Sequence, residues 1–454
     1  MTARSALRRY LLVSFLTWLP LGLMMAVTVL LMTQRGLSLA QVGLCVTLFS
    51  AVTLCLELPT GGIADVAGRR TVLAVSAGFL AAALALMSVA QTVWAFAGVA
   101  VLKGVARALS SGPATSWYVD TLHAIEGPDA DLKPGLARGG AMESASLCVG
   151  VLAGGVLPLV APGGPLPPLA FSPALGAVAA VALLVVALFA LPEPGGRRPA
   201  GARRGTAAGL LRDVPATVTA GLRLVGGRPV LRRLMLASAA SGVVLCVIEL
   251  LTPGRLAALA GTAEEGSLAY SVVAALGFAG SAAGSALAPR VARLAAPAAP
   301  ASAPASASAR GSVRGAVVGV VVAASSLGAL AATAGLGGAA GLAGAGIAYV
   351  VLFMGLAVAA VLCQEMTHRA VTAAQRTTVT STSSLALQSG AIAANLGFGA
   401  LATQAGTAVA WGAAAVLALA SALLFVRMPA PAREPAPVRA SSPDPVRPGR
   451  SGSD

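Results

Sequence analysis

The side chains able to do chemistry in this chain are mostly ionic, and they cluster at a few points. Asp65, Arg69 and Arg70 fall within Gly61-Gly62-Ile63-Ala64-Asp65-Val66-Ala67-Gly68-Arg69-Arg70, a G-x-x-x-D-x-x-G-R-R pattern between two long apolar runs. Glycines at 61, 62 and 68 allow a tight turn and close backbone approach. An acid and two guanidinium groups so placed make an ionic joint that can exchange partners, and nothing in it suggests bond making. Glu57 precedes the joint, and Asp120 ends a later segment, Ser111-Gly112-Pro113-Ala114-Thr115-Ser116-Trp117-Tyr118-Val119-Asp120.

A second set of polar residues lies inside or beside apolar runs: Lys103, Arg107, Glu143, Glu249, Gln388 and Asn395. An Arg at the centre of a membrane helix costs about 2.5–3.5 kcal/mol on insertion scales, so it faces a cavity or a partner. Arg107, about 20 Å before Asp120 if the helix is continuous, is placed at such a depth. Lys103 fits either a cavity or a position from which it snorkels outward. Glu249, near the outer end of its run, reads as a proton or substrate group or as an interfacial acid. Gln388 and Asn395 share one helix face and suit either a polar lining or helix-to-helix hydrogen bonds.

Enzymatic chemistry is not written in the sequence. The two histidines, His123 and His368, stand apart, and no H-E-x-x-H, P-loop or G-x-S-x-G pattern occurs. The five cysteines (Cys45, Cys55, Cys148, Cys246, Cys363) lie in apolar runs without a C-x-x-C pair, which reads as packing rather than a disulfide framework or a metal site. The expectation is a protein that is not an enzyme and uses no cofactor or metal.

The elements that must position these groups are membrane spans. Hydrophobic residues make up 57% of the chain and charged residues only 10%, with a mean hydropathy of +0.85. Soluble domains carry roughly a quarter charged residues, so this composition cannot build a water-facing surface. Apolar runs of about 20 residues, the length that crosses the hydrocarbon core, fall near residues 10–32, 41–60, 71–90, 92–117, 139–160, 168–191, 231–251, 266–288, 315–334, 338–363, 379–402 and 405–427. The fold class expected is an all-α polytopic membrane protein of twelve helices. The first run is too long for a signal-peptide core and lacks a cleavage site, so it reads as an uncleaved helix.

The net charge of +15 is distributed by side of the membrane. With both termini cytoplasmic, Arg35 and Arg255 face outward, Lys103 and Arg107 lie in a span, and 27 of the 31 Lys and Arg face the cytoplasm. This is the positive-inside rule. A nucleic-acid binder would instead carry a basic face with interleaved aromatics on a soluble fold, so the partners expected are a lipid bilayer and no nucleic acid.

Residues 192–230, rich in Arg, divide the chain into an N-terminal six-helix unit (1–191) and a C-terminal one (231–428), followed by a Pro-, Ser- and Arg-rich tail (429–454). The tail and the Ala-, Pro- and Ser-rich stretch 295–309 read as disordered, because neither can bury enough apolar surface to offset ordering entropy. Gly284 to Arg293 echoes Gly61 to Arg70 in the second half, with Ala288 in place of the Asp and Ala292 in place of the first Arg.

Together these features resemble the major facilitator superfamily of transporters. The 61–70 pattern is similar to the signature between its second and third helices, and the likeness extends over residues 10–427. Glu57-Leu58-Pro59-Thr60-Gly61 and the Ser111–Asp120 segment resemble E-x-P-T-G and S-G-x-x-x-x-x-Y-x-D of a bacterial branch. Gly150 to Pro158 partly resembles the helix-five motif of antiporters, without its Gly-Pro pair, and small residues at that spacing also serve plain packing. Proton-linked exporters carry a helix-four Arg four residues before a Gly; here Gly104 matches the Gly but Ala100 stands in the Arg position.

The resemblance implies two parallel bundles that alternate access to a central site. It implies that Arg69 pairs with Asp120, and that Asp65 faces the start of helix eleven at Thr377–Ser384, where the helix dipole favours a carboxylate. Glu57, Asp65, Arg69, Asp120 and Glu143 would form a cytoplasmic latch, with separate hydrated charges the lesser alternative for Glu57 and Glu143. Arg107 or Lys103 would stand in for the missing helix-four Arg from a neighbouring turn, and Arg107 would tune coupling. The function expected is secondary transport, with proton-coupled efflux of a small amphiphilic drug or metabolite leading, proton-coupled nutrient uptake second, and a membrane-embedded enzyme or receptor a distant third. The setting expected is a bacterial cell membrane, with a monomer as the working unit.

Overall fold

The computed structural model describes residues 1–110, 112–127, 130–161, 164–192, 219, 223–297, 304–372, 375–426 and 428, with backbone alone at 57–67, 133, 304–306 and 376–377. Most of the basic central segment and the 429–454 tail lie outside these. The described residues hold helices and no strand.

The N-terminal half contains α1 (Ala3–Met25), α2 (Thr28–Gln34), α3 (Leu39–Ala67), α4 (Arg69–Val89), α5 (Val93–Ser110), α6 (Pro113–Glu126), α7 (Lys133–Val160) and α8 (Phe171–Ala190). The C-terminal half contains α9 (Pro229–Ala260), α10 (Ala263–Ala295), α11 (Pro304–Ala332), α12 (Gly338–Arg369), α13 (Arg376–Ala405) and α14 (Thr407–Ser421). Among the described residues, eleven spans are long and apolar enough to cross a membrane, and α1 with α2, bent by 43° and taken as one span, makes a twelfth. The fourth span is α5 and α6 together, from Val93 to Glu126.

Local chemistry sets several of these boundaries. Ser38 and Gln41 form a reciprocal capping box at the start of α3, with bonds of 2.9 and 3.3 Å. Thr262 caps α10 through the amide of Glu265, and Glu264 and Glu265 place negative charge on its first turn. Pro113 and Pro229 begin α6 and α9, where a missing N–H costs nothing. Gly112, at φ +97°, breaks the fourth span just before Pro113. The straight helix assumed between Arg107 and Asp120 is therefore interrupted.

The two halves pack alike. In the first, α1 lies on α7, α3 on α5, and α4 on α8; in the second, α9 lies on α13, α10 on α12, and α11 on α14. In span numbers these are 1–5, 2–4 and 3–6 against 7–11, 8–10 and 9–12, a parallel repeat. The first crossing is tight in both halves. A Cβ on Gly150 would lie 2.8 Å from the Cα of Gly22, and one on Gly390 would lie 1.9 Å from the carbonyl oxygen of Ala239. Only glycine permits such backbone approach. Gly150 and Gly154 of the antiporter-like motif thus pack α7 onto α1.

The surface is inverted relative to a soluble protein. Phe189, Leu423 and Val416 are exposed to 83, 70 and 69%, as suits side chains that face lipid. The stretch 295–309 differs from its expected disorder at its end: α11 begins at Pro304. A proline at the first turn and a run of alanines make helix entry cheap there.

Candidate functional site

Between the halves lies a cavity of about 360 Å³, lined by α1, α2, α3, α5 and α7 on one side and α9, α10 and α13 on the other. The break after α1 helps shape it, because Met24, Met25, Thr28 and Val29 all reach the void. Thr28 returns its hydroxyl to the carbonyl of Met24 at 2.7 Å, which satisfies one backbone acceptor beside the bend. Most of the wall is apolar, and the polar groups in it are few.

Two of those groups are charged and come from opposite halves: Lys103 on α5 and Glu249 on α9. The Lys103 ammonium lies 5.5 Å from the ring centroid of Phe49, a cation–π contact. Glu249 is exposed, and that exposure is to the cavity. Neither is in an ion pair among the described residues. Asn395 is 1% exposed, lines the same void, and its Nδ2 has no partner among the described residues. Tyr270 lies beside them, its hydroxyl 3.5 Å from that of Tyr349.

Helix α9 continues to Ala260, so Glu249 stands well inside the helix and not at its outer end. Pro253 and Gly254 are stop signals, but α9 runs through them. In a bundle, neighbouring helices can satisfy the backbone acceptor that a proline frees.

The ionic joint is more helical than its glycines suggest. Helix α3 runs through Gly61 to Ala67, and the chain turns at Gly68 alone, which adopts φ +90° before α4 starts at Arg69. Arg69 forms an ion pair with Asp120 of α6 and donates a 2.7 Å hydrogen bond to the carbonyl of Ser116. Arg70 is half-buried on the same turn. The side chains of Glu57 and Asp65 lie outside the described residues, so their part in a latch rests on sequence. Glu143 is half-buried on α7 and lines no part of the central cavity, and neither does Gln388.

Arg107, one turn beyond Lys103, also lies away from the cavity wall. Its guanidinium stacks over Trp18 of α1 at 4.8 Å from the ring centroid. Sequence reasoning misses Tyr270 and the Met24–Val29 bend as cavity residues. A tyrosine among the alanines and serines of a span is a usable signal; the bend, with no Pro or Gly at Ala26–Val27, offers none.

The halves seal against each other on one side of the cavity. The start of α3 meets the end of α13, where a Cβ on Gly43 would lie 2.2 Å from the carbonyl oxygen of Asn395. The end of α7 meets the start of α10, where Ser267 donates to the carbonyl of Gly155 at 3.0 Å. Both contacts lie on the side of the loops at Gly36 and Gly261.

The family model of the Major Facilitator Superfamily matches residues 10–305. The chain belongs to this superfamily. No curated protein matches the sequence. Among solved structures, the fold is similar to the nucleoside transporter NupG (TM-score 0.72, 14% identity, 93% of this chain and 98% of that one). It is similar to a bacterial homologue of the human lysosomal transporter Spinster, inward-facing and occupied (0.66, 15%, 92% and 94%). It is also similar to the peptide transporter POT in complex with sulfate (0.64, 14%, 93% and 93%). At these identities the likeness is one of fold. As a superfamily member with two six-span halves around a central cavity, the protein is a secondary transporter rather than an enzyme.

The Arg69–Asp120 pair admits a direct test in this frame. Both partners are partly exposed, 23 and 51%, so the pair is worth about 0.2–1 kcal/mol rather than the energy of a buried bridge. Arg69→Ala and Asp120→Asn should each slow transport while leaving membrane insertion intact. The double variant should be less impaired than the product of the two, because one interaction is lost once. Strictly multiplicative losses in initial rate would show that the two act separately.

Proposed function

We propose that this transporter is a proton-coupled exporter of a small amphiphilic compound, working by alternating access as a monomer in a bacterial cell membrane. The observation that carries the reading is the cavity wall: flexible, apolar methionine and leucine side chains with one acid, Glu249, reaching the void. Methionine adapts to varied apolar shapes. A lone carboxylate in such a wall holds either a proton or a cation from the substrate. Exchange of one for the other at a single group couples their fluxes in opposite directions.

With the termini cytoplasmic, as the Arg distribution implies, the contacts at Gly43 and Gly155 lie on the outer side, an arrangement in which an exporter loads and an importer releases. The partial resemblance of Gly150–Pro158 to the helix-five motif of antiporters favours export.

Inside-out membrane vesicles, acidified within by respiration, give the test. A panel of fluorescent amphiphiles should include compounds that vesicles holding the protein concentrate, and collapse of the pH gradient should release them. Concentration in right-side-out vesicles instead would replace efflux by uptake symport. Accumulation indifferent to the pH gradient would remove the proton from the mechanism.

A further inference from the structure

We infer that the substrate class is zwitterionic: an amphiphile with an ammonium group near one end and a carboxylate or similar anion near the other. The inference rests on the reading of the central cavity as the substrate site. Its basis is the placement of one cation and one anion in one cavity on different halves, Lys103 from the first and Glu249 from the second, neither with an ionic partner among the described residues.

Consider what each kind of guest leaves behind. A neutral amphiphile displaces water from both charges and compensates neither. A simple cation satisfies Glu249 and leaves Lys103 with only the face of Phe49. A simple anion does the reverse. Uncompensated charge in a water-poor site is the costly outcome, and it is avoided only by a guest carrying both signs. The buried Asn395 amide, unpartnered among the described residues and in the same wall, adds a donor that an anionic group can accept from. The rest of the lining includes Leu21, Met24, Met25 and Leu250, so the span joining the guest's two charges should be apolar.

The arrangement has a mechanical consequence. Because the two charges belong to different halves, a zwitterion ties the halves together through itself, whereas a singly charged guest holds only one. Binding and closure of the cavity are then favoured by the same contacts.

The test uses the purified full-length protein in detergent, without any ion gradient, and reads dissociation constants by calorimetry. The probes are 4-aminobutyrate, 6-aminohexanoate, 8-aminooctanoate and 11-aminoundecanoate, with octylamine and octanoate as the singly charged counterparts. The best ω-amino acid should bind roughly tenfold tighter than either counterpart, the scale of one added charge-assisted contact. Lys103→Gln should remove its advantage over octylamine, and Glu249→Gln its advantage over octanoate, while Lys103→Arg should retain it. The ligand comparison within the unmodified protein stands even if a variant misfolds. Equal binding of octylamine or octanoate, or no binding by any chain length, overturns the inference. Neither result touches the transport reading, which falls only if vesicles show no gradient-driven flux.

Discussion

Glu249→Gln protein, reconstituted into liposomes, loses gradient-driven accumulation of substrate while retaining exchange of labelled for unlabelled substrate. Glutamine keeps the size of the side chain and its hydrogen-bonding oxygen but cannot release a proton. One pH unit across the membrane is worth about 1.4 kcal/mol per proton, which supports roughly a tenfold substrate gradient at one-for-one exchange. In the variant that ratio falls to unity. Counterflow, which needs the cavity and the moving halves but no net proton transfer, persists once substrate is raised about tenfold to offset the weaker binding. Lys103→Gln is the contrast, since it weakens substrate binding to a similar degree but leaves the coupling group in place. Accumulation by Glu249→Gln vesicles under an imposed pH gradient would move the coupling role elsewhere, with Glu57 and Glu143 the next acids to substitute.

Gly43→Val shifts the transporter away from the arrangement described here and towards one open on the outer side. A Cβ at this position would lie 2.2 Å from a backbone carbonyl oxygen, that of Asn395, and backbone cannot swing aside as a flexible side chain can. Overpacking of this kind costs about 1–3 kcal/mol, a shift of roughly 5- to 150-fold in the ratio of the two states. Cys246 lines the central cavity and serves as the reporter. With Cys45, Cys55, Cys148 and Cys363 replaced by Ala, a membrane-impermeant maleimide added from the outer side should label Cys246 faster in Gly43→Val by a comparable factor. Gly78→Val is the control, because nothing lies within 4 Å of a Cβ at Gly78. Equal labelling in all three proteins would show that the α3–α13 contact does not govern the outer seal.

The parts of this protein legible in the sequence are those set by local composition and by charge at the membrane surface. Twelve apolar runs correspond to twelve spans because the hydrocarbon core tests each segment for length and polarity one at a time. The joint is legible as a charged segment bearing Gly61, Gly62 and Gly68, and the structure alone selects Gly68, at φ +90°, as the residue that turns. Pairing of Arg69 with Asp120 is legible only through the resemblance to the superfamily, which implies an acid at the end of helix four as partner of the opening motif's Arg.

What the tertiary structure alone decides is which polar groups inside the spans share a space. Lys103 and Arg107 are one helical turn apart and equally basic, so spacing cannot rank them. Trp18, from a helix far away in sequence, receives Arg107, while Lys103 meets the void. Sequence places Glu249 near a helix end because the apolar run is bounded at 231–251, whereas α9 continues through Pro253 and Gly254 to Ala260. Its presence in one cavity with Lys103 and Asn395 brings together three helices from two halves of the chain. That convergence depends on how helix faces pack, and each face is chosen by contacts with residues on helices distant in sequence, which no local pattern records.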